Sequence, residues 1–200
     1  MRHSRTRLLG WLVSAALLLT GCGTAYVLDN NVQSFSNLAA LPAQPTYRFE
    51  RLPSQQLPAE DQLEAMADPA LRSVGLRRDD ANPHYSVQLS ARVQRILSPW
   101  GSLSDGLGWA GWDYGGGYRY HHAFGHLSAM DRLDPFWDHR EVGIIVRELA
   151  SNRVVFESHA VSEGPWLDNS FVFPAMFRAA LQGFPNPPAG PRVVNIQLGS

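Results

Sequence analysis

The chain has no lysine: all 17 of its basic residues are arginine. That absence excludes Schiff-base chemistry and lysine general bases. It has a single cysteine, Cys22, so it forms no intrachain disulfide, and stability in an oxidising compartment has to come from burial. It also lacks an apolar run long enough to cross a membrane. The most apolar stretch, Leu8 to Thr20, falls well short of the roughly 20 residues a helix needs to cross hydrocarbon about 30 Å thick. Positive charge is not in surplus either. The net charge is −1, and loss of Arg2, Arg5 and Arg7 would take it to −4. That leaves no basic footprint, which excludes nucleic acid as a partner. Enzyme signatures are missing as well: there is no Gly-x-Ser-x-Gly elbow, Ser102 and Ser104 have no arranged base, and Gly115 to Gly117 do not open a strand-to-helix phosphate loop.

What is present begins with an address. Arg2, Arg5 and Arg7 precede the apolar run, which ends at Leu19-Thr20-Gly21-Cys22. A positive start stays on the cytoplasmic side while a short apolar helix enters the bilayer and is cut. The last four residues resemble the lipobox of bacterial lipoproteins. The resemblance implies a diacylglycerol thioether on Cys22, cleavage before it and acylation of the new amine. Two or three acyl chains suffice as an anchor, because each buried methylene contributes about 0.8 kcal/mol and one chain alone is marginal. Gly23 stands where an aspartate would resemble an inner-membrane retention signal, so the expectation is the outer membrane, facing the periplasm. Residues 1–21 then form the signal peptide, 22–31 a lipidated tether, and 32–200 a single domain. A tether of that length holds the domain within about 35 Å of the membrane.

With 44% hydrophobic and 18% charged residues, the remainder suits one core. Val32 to Asn37 reads weakly as a strand. Tyr47 to Leu52, with Tyr47 and Phe49 alternating with Arg48 and Glu50, reads better as one. From Ala59 the period changes, with Leu63, Met66, Ala67, Ala70, Leu71 and Val74 marking an amphipathic helix stopped by Gly75. Pro69 either kinks it or follows Asp68 as the cap of a second short helix. Tyr85, Val87, Leu89, Ala91 and Val93 alternate strictly with polar residues and give the clearest strand. Glu141 to Leu149 and Val154 to Val161 form a hairpin across Ala150-Ser151-Asn152-Arg153. Phe173, Met176, Phe177, Ala180 and Leu181 make a second helix with Pro174 in its first turn, and Val193 to Leu198 a last strand. The expectation is an α+β fold, a mixed or mainly antiparallel sheet with two helices on one face.

Several of these residues carry a family likeness: Tyr47 through Ser54-Gln55, Ala70-Leu71 with Gly75-Leu76, and Pro83-His84-Tyr85-Ser86-Val87. With the lipobox and the hairpin before a final helix, the chain resembles the bacterial lipoproteins of domain of unknown function 4136. It departs from them at the hairpin, where the turn is Ser151-Asn152-Arg153 and Phe156 stands near a position that often holds tryptophan. The resemblance implies the fold and carries no activity with it.

Residues 98–140 read as a long insertion loop, rich in glycine, aromatics and histidine. Trp109, Trp112, Tyr114, Tyr118 and Tyr120 are flat faces that suit a glycan or a partner protein, and the same rings suit a hairpin tip folded back on the sheet edge. His121, His122 and His126 have a spacing that can share a metal, with Asp131 or Asp134 as a carboxylate, but no third ligand or general base is placed by the sequence. The pairs Asp79-Asp80 and Asp134 with Asp138 hold carboxylates near one another, and a solvated turn explains the first more simply. The leading expectation is a non-enzymatic accessory or binding module of the cell envelope. It needs no cofactor beyond the lipid on Cys22, and offers its aromatic loop or a sheet edge to an envelope protein or glycan. The alternative is a metal-dependent envelope hydrolase using the histidine cluster.

Overall fold

Alternation governs the first element. In β1, Val27–Ser36, Leu28, Asn30, Val32 and Ser34 are buried while their neighbours face outward. The strand therefore starts inside the stretch expected to be tether. Its pairing with two later strands fixes the register from Val27 onward. The computed structural model describes residues 26–38, 40–97 and 136–198. The remaining elements are β2, Thr46–Phe49; α1, Pro58–Ser73; β3, Arg77–Arg78; β4, Tyr85–Leu97; β5, Phe136–Glu148; β6, Arg153–Gly164; α2, Asn169–Ala180; and β7, Arg192–Gln197. The expected insertion loop is thus shorter at its far end, because residues from Phe136 onward already pair with β4.

The seven strands form one mixed sheet in the order β3-β2-β4-β5-β6-β1-β7. Only β2 pairs in parallel, with β3 and β4. Both helices pack on one face, α1 over β3 and β4 and α2 over β1, β5, β6 and β7, and they touch each other. This is the α+β architecture expected. Among the described residues, no helix is long and apolar enough to cross a membrane.

The core lies between that face and the helices. Val87, Val142, Ile144, Val146 and Ala160 from the sheet meet Ala67, Leu71, Val172, Ala175, Met176 and Phe177 from the helices, all fully buried. The hairpin turns where expected, with Asn152 at φ +54°, a left-handed position that asparagine tolerates. Gly75, at φ +93°, ends α1. Its amide bonds Arg72 O and the Leu76 amide bonds Leu71 O, a paired closure that leaves few carbonyls of the last turn orphaned.

The structure decides against the second of the two readings of Pro69 and corrects the position of Pro174. Pro69 sits inside one continuous helix. Asp68 caps nothing; its carboxylate accepts from the buried Tyr47 hydroxyl at 2.5 Å and pairs with Arg72 at 2.6 Å. Burial of Ala67, Ala70 and Leu71 on either side holds the helix together against the local cost of proline, about 3 kcal/mol. Pro174 lies in the middle of α2, not in its first turn, because the helix begins at Asn169. Sequence periodicity missed that first turn, since Ser170 and Phe171 point to solvent.

Two phenylalanines of α2 give a direct test of this arrangement. Phe177 is fully buried and Phe171 is 71% exposed. Phe177→Ala is expected to lower unfolding free energy by about 3–5 kcal/mol, and Phe171→Ala by no more than about 0.5 kcal/mol. Urea denaturation followed by circular dichroism measures both.

Candidate functional site

Cys22, Trp109, Trp112, Tyr114, Tyr118, Tyr120, His121, His122 and His126 all lie outside the described residues, as do Asp131 and Asp134. The strand register nevertheless fixes where their segments join the domain. Val27 opposes Gln197, Asp138 opposes Gly164, and Leu97 opposes Phe136. The start of β1, the ends of β4, β6 and β7 and the start of β5 therefore lie at one end of the sheet. The hairpin turn of residues 149–152 lies at the other. The candidate site is built at the first of these ends.

Its centre is Arg140, a side chain 1% exposed on the core face of β5. The guanidinium donates to Asp138 Oδ2 at 2.6 Å, to Leu167 O at 3.1 Å and to Asn169 Oδ1 at 3.0 Å, with longer bonds to Pro165 O. Arginine suits this position because its planar fork reaches several acceptors at once. Residues 165–169 connect β6 to α2, so Arg140 fixes the loop that starts the helix. Asp138, one of the carboxylates picked out in the sequence, is spoken for by this pair. It is two residues from Arg140 on the same strand face, while its suggested partner Asp134 lies outside the described residues.

Asp168 caps α2, accepting from the Ser170 amide at 2.9 Å. That hydrogen bond, with a second from the Ser170 hydroxyl, holds its carboxyl below the usual range. Beside the cap lies an open cavity of about 390 Å³ lined by Leu167, Phe171, Pro174, Arg178 and Leu198. Among the described residues, several exposed apolar side chains lie at this end. Trp166 is 65% exposed and Leu97 70%, with Tyr26, Val27 and Phe136 partly exposed beside them. Leu198 N donates to Tyr26 O at 2.8 Å, which ties the last residues of the domain to the first. Hydropathy patterning could have flagged Gly164-Pro165-Trp166-Leu167 as an apolar turn before a cap; nothing in the sequence marked Arg140 as buried.

The helix-free face carries a different chemistry. His139 Nδ1 pairs with Glu163 at 2.8 Å, and His159 bridges Glu157 at 3.0 Å and Glu141 at 3.7 Å. Ser90 and His159 flank Gly143, where a Cβ would come within 2.5 Å of Ser90 Oγ. These contacts are part-exposed, which limits each to a fraction of a kcal/mol. Among the described residues, no three histidine, cysteine or carboxylate side chains converge as metal ligands. The turn reading of Asp79 and Asp80 holds: Asp79 Oδ1 accepts from the amides of Ala81 and Asn82, and Asp80 pairs with Arg78 at 3.2 Å.

No family model matches the chain, and no curated protein matches it. Among solved structures, the L103M dodecamer of PelC from Paraburkholderia phytofirmans is 15% identical over 76% of this chain and 94% of that one, with a TM-score of 0.45. A PDZ domain protein from Parabacteroides distasonis is 13% identical over 91% of this chain, with a TM-score of 0.49. This chain spans 41% of that protein's length.

Removing Arg140 would strand a buried carboxylate and several acceptors. Arg140→Ala is expected to cost about 3–5 kcal/mol, and Arg140→Lys to recover little of it, because an ammonium cannot reproduce the fork. Urea midpoints and the rate of proteolysis within residues 165–169 read the two effects. For Asp168 the lowered pKa sets the sign. Its capping contribution is present above the ordinary carboxylate range near pH 4 and is lost as pH falls through the lowered value. The stability gap between the native chain and Asp168→Ala should therefore narrow between thermal melts at pH 7 and pH 3.

Proposed function

We propose that the chain is a lipid-anchored lipoprotein of the outer membrane, facing the periplasm and serving the cell envelope as a non-enzymatic accessory or binding module. The observation that carries this reading is the placement of its sole cysteine. Cys22 ends Leu19-Thr20-Gly21-Cys22 directly after an arginine-led apolar run, and Tyr26 and Val27 already belong to the folded domain. Signal and domain thus meet at the residue that lipidation would modify. The likeness to lipoproteins of domain of unknown function 4136 belongs to the same proposal.

The lipid on Cys22 is the only prosthetic group in this reading, and membrane and envelope are its partners. Trp109, Trp112, Tyr114, Tyr118 and Tyr120 supply the surface for an envelope protein or glycan, since aromatic faces stack on sugar rings and fill protein pockets. The outer edge of β7 offers a second route, by strand addition.

Mass spectrometry of the native product should show Cys22 as the N-terminal residue carrying diacylglycerol and an amide-linked acyl chain. Cys22→Ser should leave the envelope fraction, and an unmodified thiol, or a serine variant that still fractionates with envelopes, overturns the reading. Joint replacement of Trp109, Trp112 and Tyr118 by alanine is expected to abolish co-purification of an envelope partner from native cells while far-ultraviolet circular dichroism stays unchanged.

A further inference from the structure

Six of the twelve exposed large apolar side chains among the described residues share a location. Trp166, Phe171, Leu97, Phe136, Tyr26 and Val27 are 40–71% exposed, and all belong to the end of the sheet where β1 begins. Patches of this kind on a folded domain mark a contact surface. Two of the group, Trp166 and Tyr26, have a polar atom on an apolar body, the composition that settles at the boundary between water and hydrocarbon. Arg178 and the Asp168 carboxylate both line the cavity beside Phe171, so its rim carries charge of both signs.

Chain length decides between occupants. Tyr26 is four residues beyond Cys22, so it lies at most about 14 Å from it at roughly 3.3–3.6 Å per residue. The headgroup layer on each side of a bilayer is itself about 5–7 Å thick. A single helix of a partner protein is about 10–12 Å across, which leaves little room for a separate protein between Tyr26 and the membrane.

We propose that this end of the domain docks on the bilayer surface, with Trp166 and Phe171 entering the interfacial layer beside the Cys22 anchor. This rests on the lipidated Cys22 of the proposed function and adds an orientation to it. The patch needs little affinity of its own, because the tether raises its effective concentration at the membrane to the millimolar range. Docked this way, the hairpin turn at residues 149–152 and the opposite end of the sheet point into the periplasm.

The acylated chain has no other thiol, so a single introduced cysteine can carry a nitroxide. Phe171→Cys and, separately, Trp166→Cys are labelled, reconstituted in phosphatidylcholine and phosphatidylglycerol vesicles, and compared with Arg153→Cys at the hairpin. The expected result is a several-fold higher ratio of oxygen to nickel-chelate accessibility at 166 and 171 than at 153, placing both within about 5–10 Å of the headgroup and acyl boundary. Free access of the nickel chelate at both sites overturns the docking. So does low access of both reagents, which would mean that protein, residues 98–135 included, covers the patch. A second label on Cys22, detected by mass spectrometry, overturns the anchor and the docking together, whereas an acylated chain with water-exposed labels overturns the docking alone.

Discussion

The end of the sheet where β1 begins depends on one buried cation, Arg140. Arg140 sits in the core face of β5 and is surrounded by acceptors from two places, Asp138 on its own strand and residues 165–169 leading into α2. Desolvating a guanidinium costs several kcal/mol, and a buried ion pair returns that only when its remaining hydrogens are also bonded. Here the carboxylate is joined by a side-chain amide and main-chain carbonyls, so the cation is satisfied by the same atoms whose position it sets. These bonds tie the loop and the start of α2 to the sheet.

The far end of α2 is fixed by a second polar chain. Arg192 Nη2 donates to Ser34 Oγ at 3.1 Å and to Gln182 O at 2.8 Å, Ser34 and Ser158 share a hydrogen bond of 2.8 Å, and Ser158 Oγ donates to Ala180 O at 2.7 Å. Because the Ser158 proton goes to Ala180 O, Ser34 is the donor between the two serines, and the relay runs from β7 through β1 and β6 to the helix end. Burial pulls the Arg192 pKa down, and two of its nitrogens have no partner among the described residues. Between these polar ends the contact is apolar, with Val172, Met176 and Phe177 on Val142, Ile144 and Ala160. Hydrophobic burial supplies the attraction and the polar ends supply the register, a division consistent with the low directionality of the first and the geometric demands of the second.

How much of this was legible follows the same division. Period-two alternation gave β4 from Tyr85 and the inward face of the hairpin, and the three-four spacing from Leu63 to Leu71 gave α1, because apolar burial writes itself into sequence as periodicity. Polar burial does not. Arg140 occupies a core position in β5 but reads as an exposed charge, and Asn30 and Ser34 interrupt the apolar face of β1, which is why only its second half was visible as a strand. Asp168 is the kind of residue that starts a helix, yet the apolar stripe from Phe173 drew the start four residues too late. The site residues chosen for their chemistry, from Trp109 to His126, fall outside the described residues. The structural signal instead lay in Trp166 and Phe171, single apolar residues beside a proline and a cap, which no periodic pattern picks out.

The coupling between core and surface at this end constrains how the protein can work. Arg140 holds Pro165 and Leu167 by their carbonyls, and Trp166 lies between them, so the residue that presents itself outward rides on a backbone secured inward. Phe171 is likewise one turn from the cap set by Asp168 and backed by the buried Val172 and Phe173. An apolar patch built on a mobile loop would lose conformational entropy on binding, roughly 0.5–1.5 kcal/mol for each side chain immobilised and more for the backbone. Anchoring the loop to the core removes most of the backbone share before contact is made. In the proposed lipid-anchored arrangement, the four residues from Cys22 to Tyr26 bound the distance of approach in the same way. In that proposal a fixed patch and a short tether act together, the first limiting the entropy lost on contact and the second the distance to be closed.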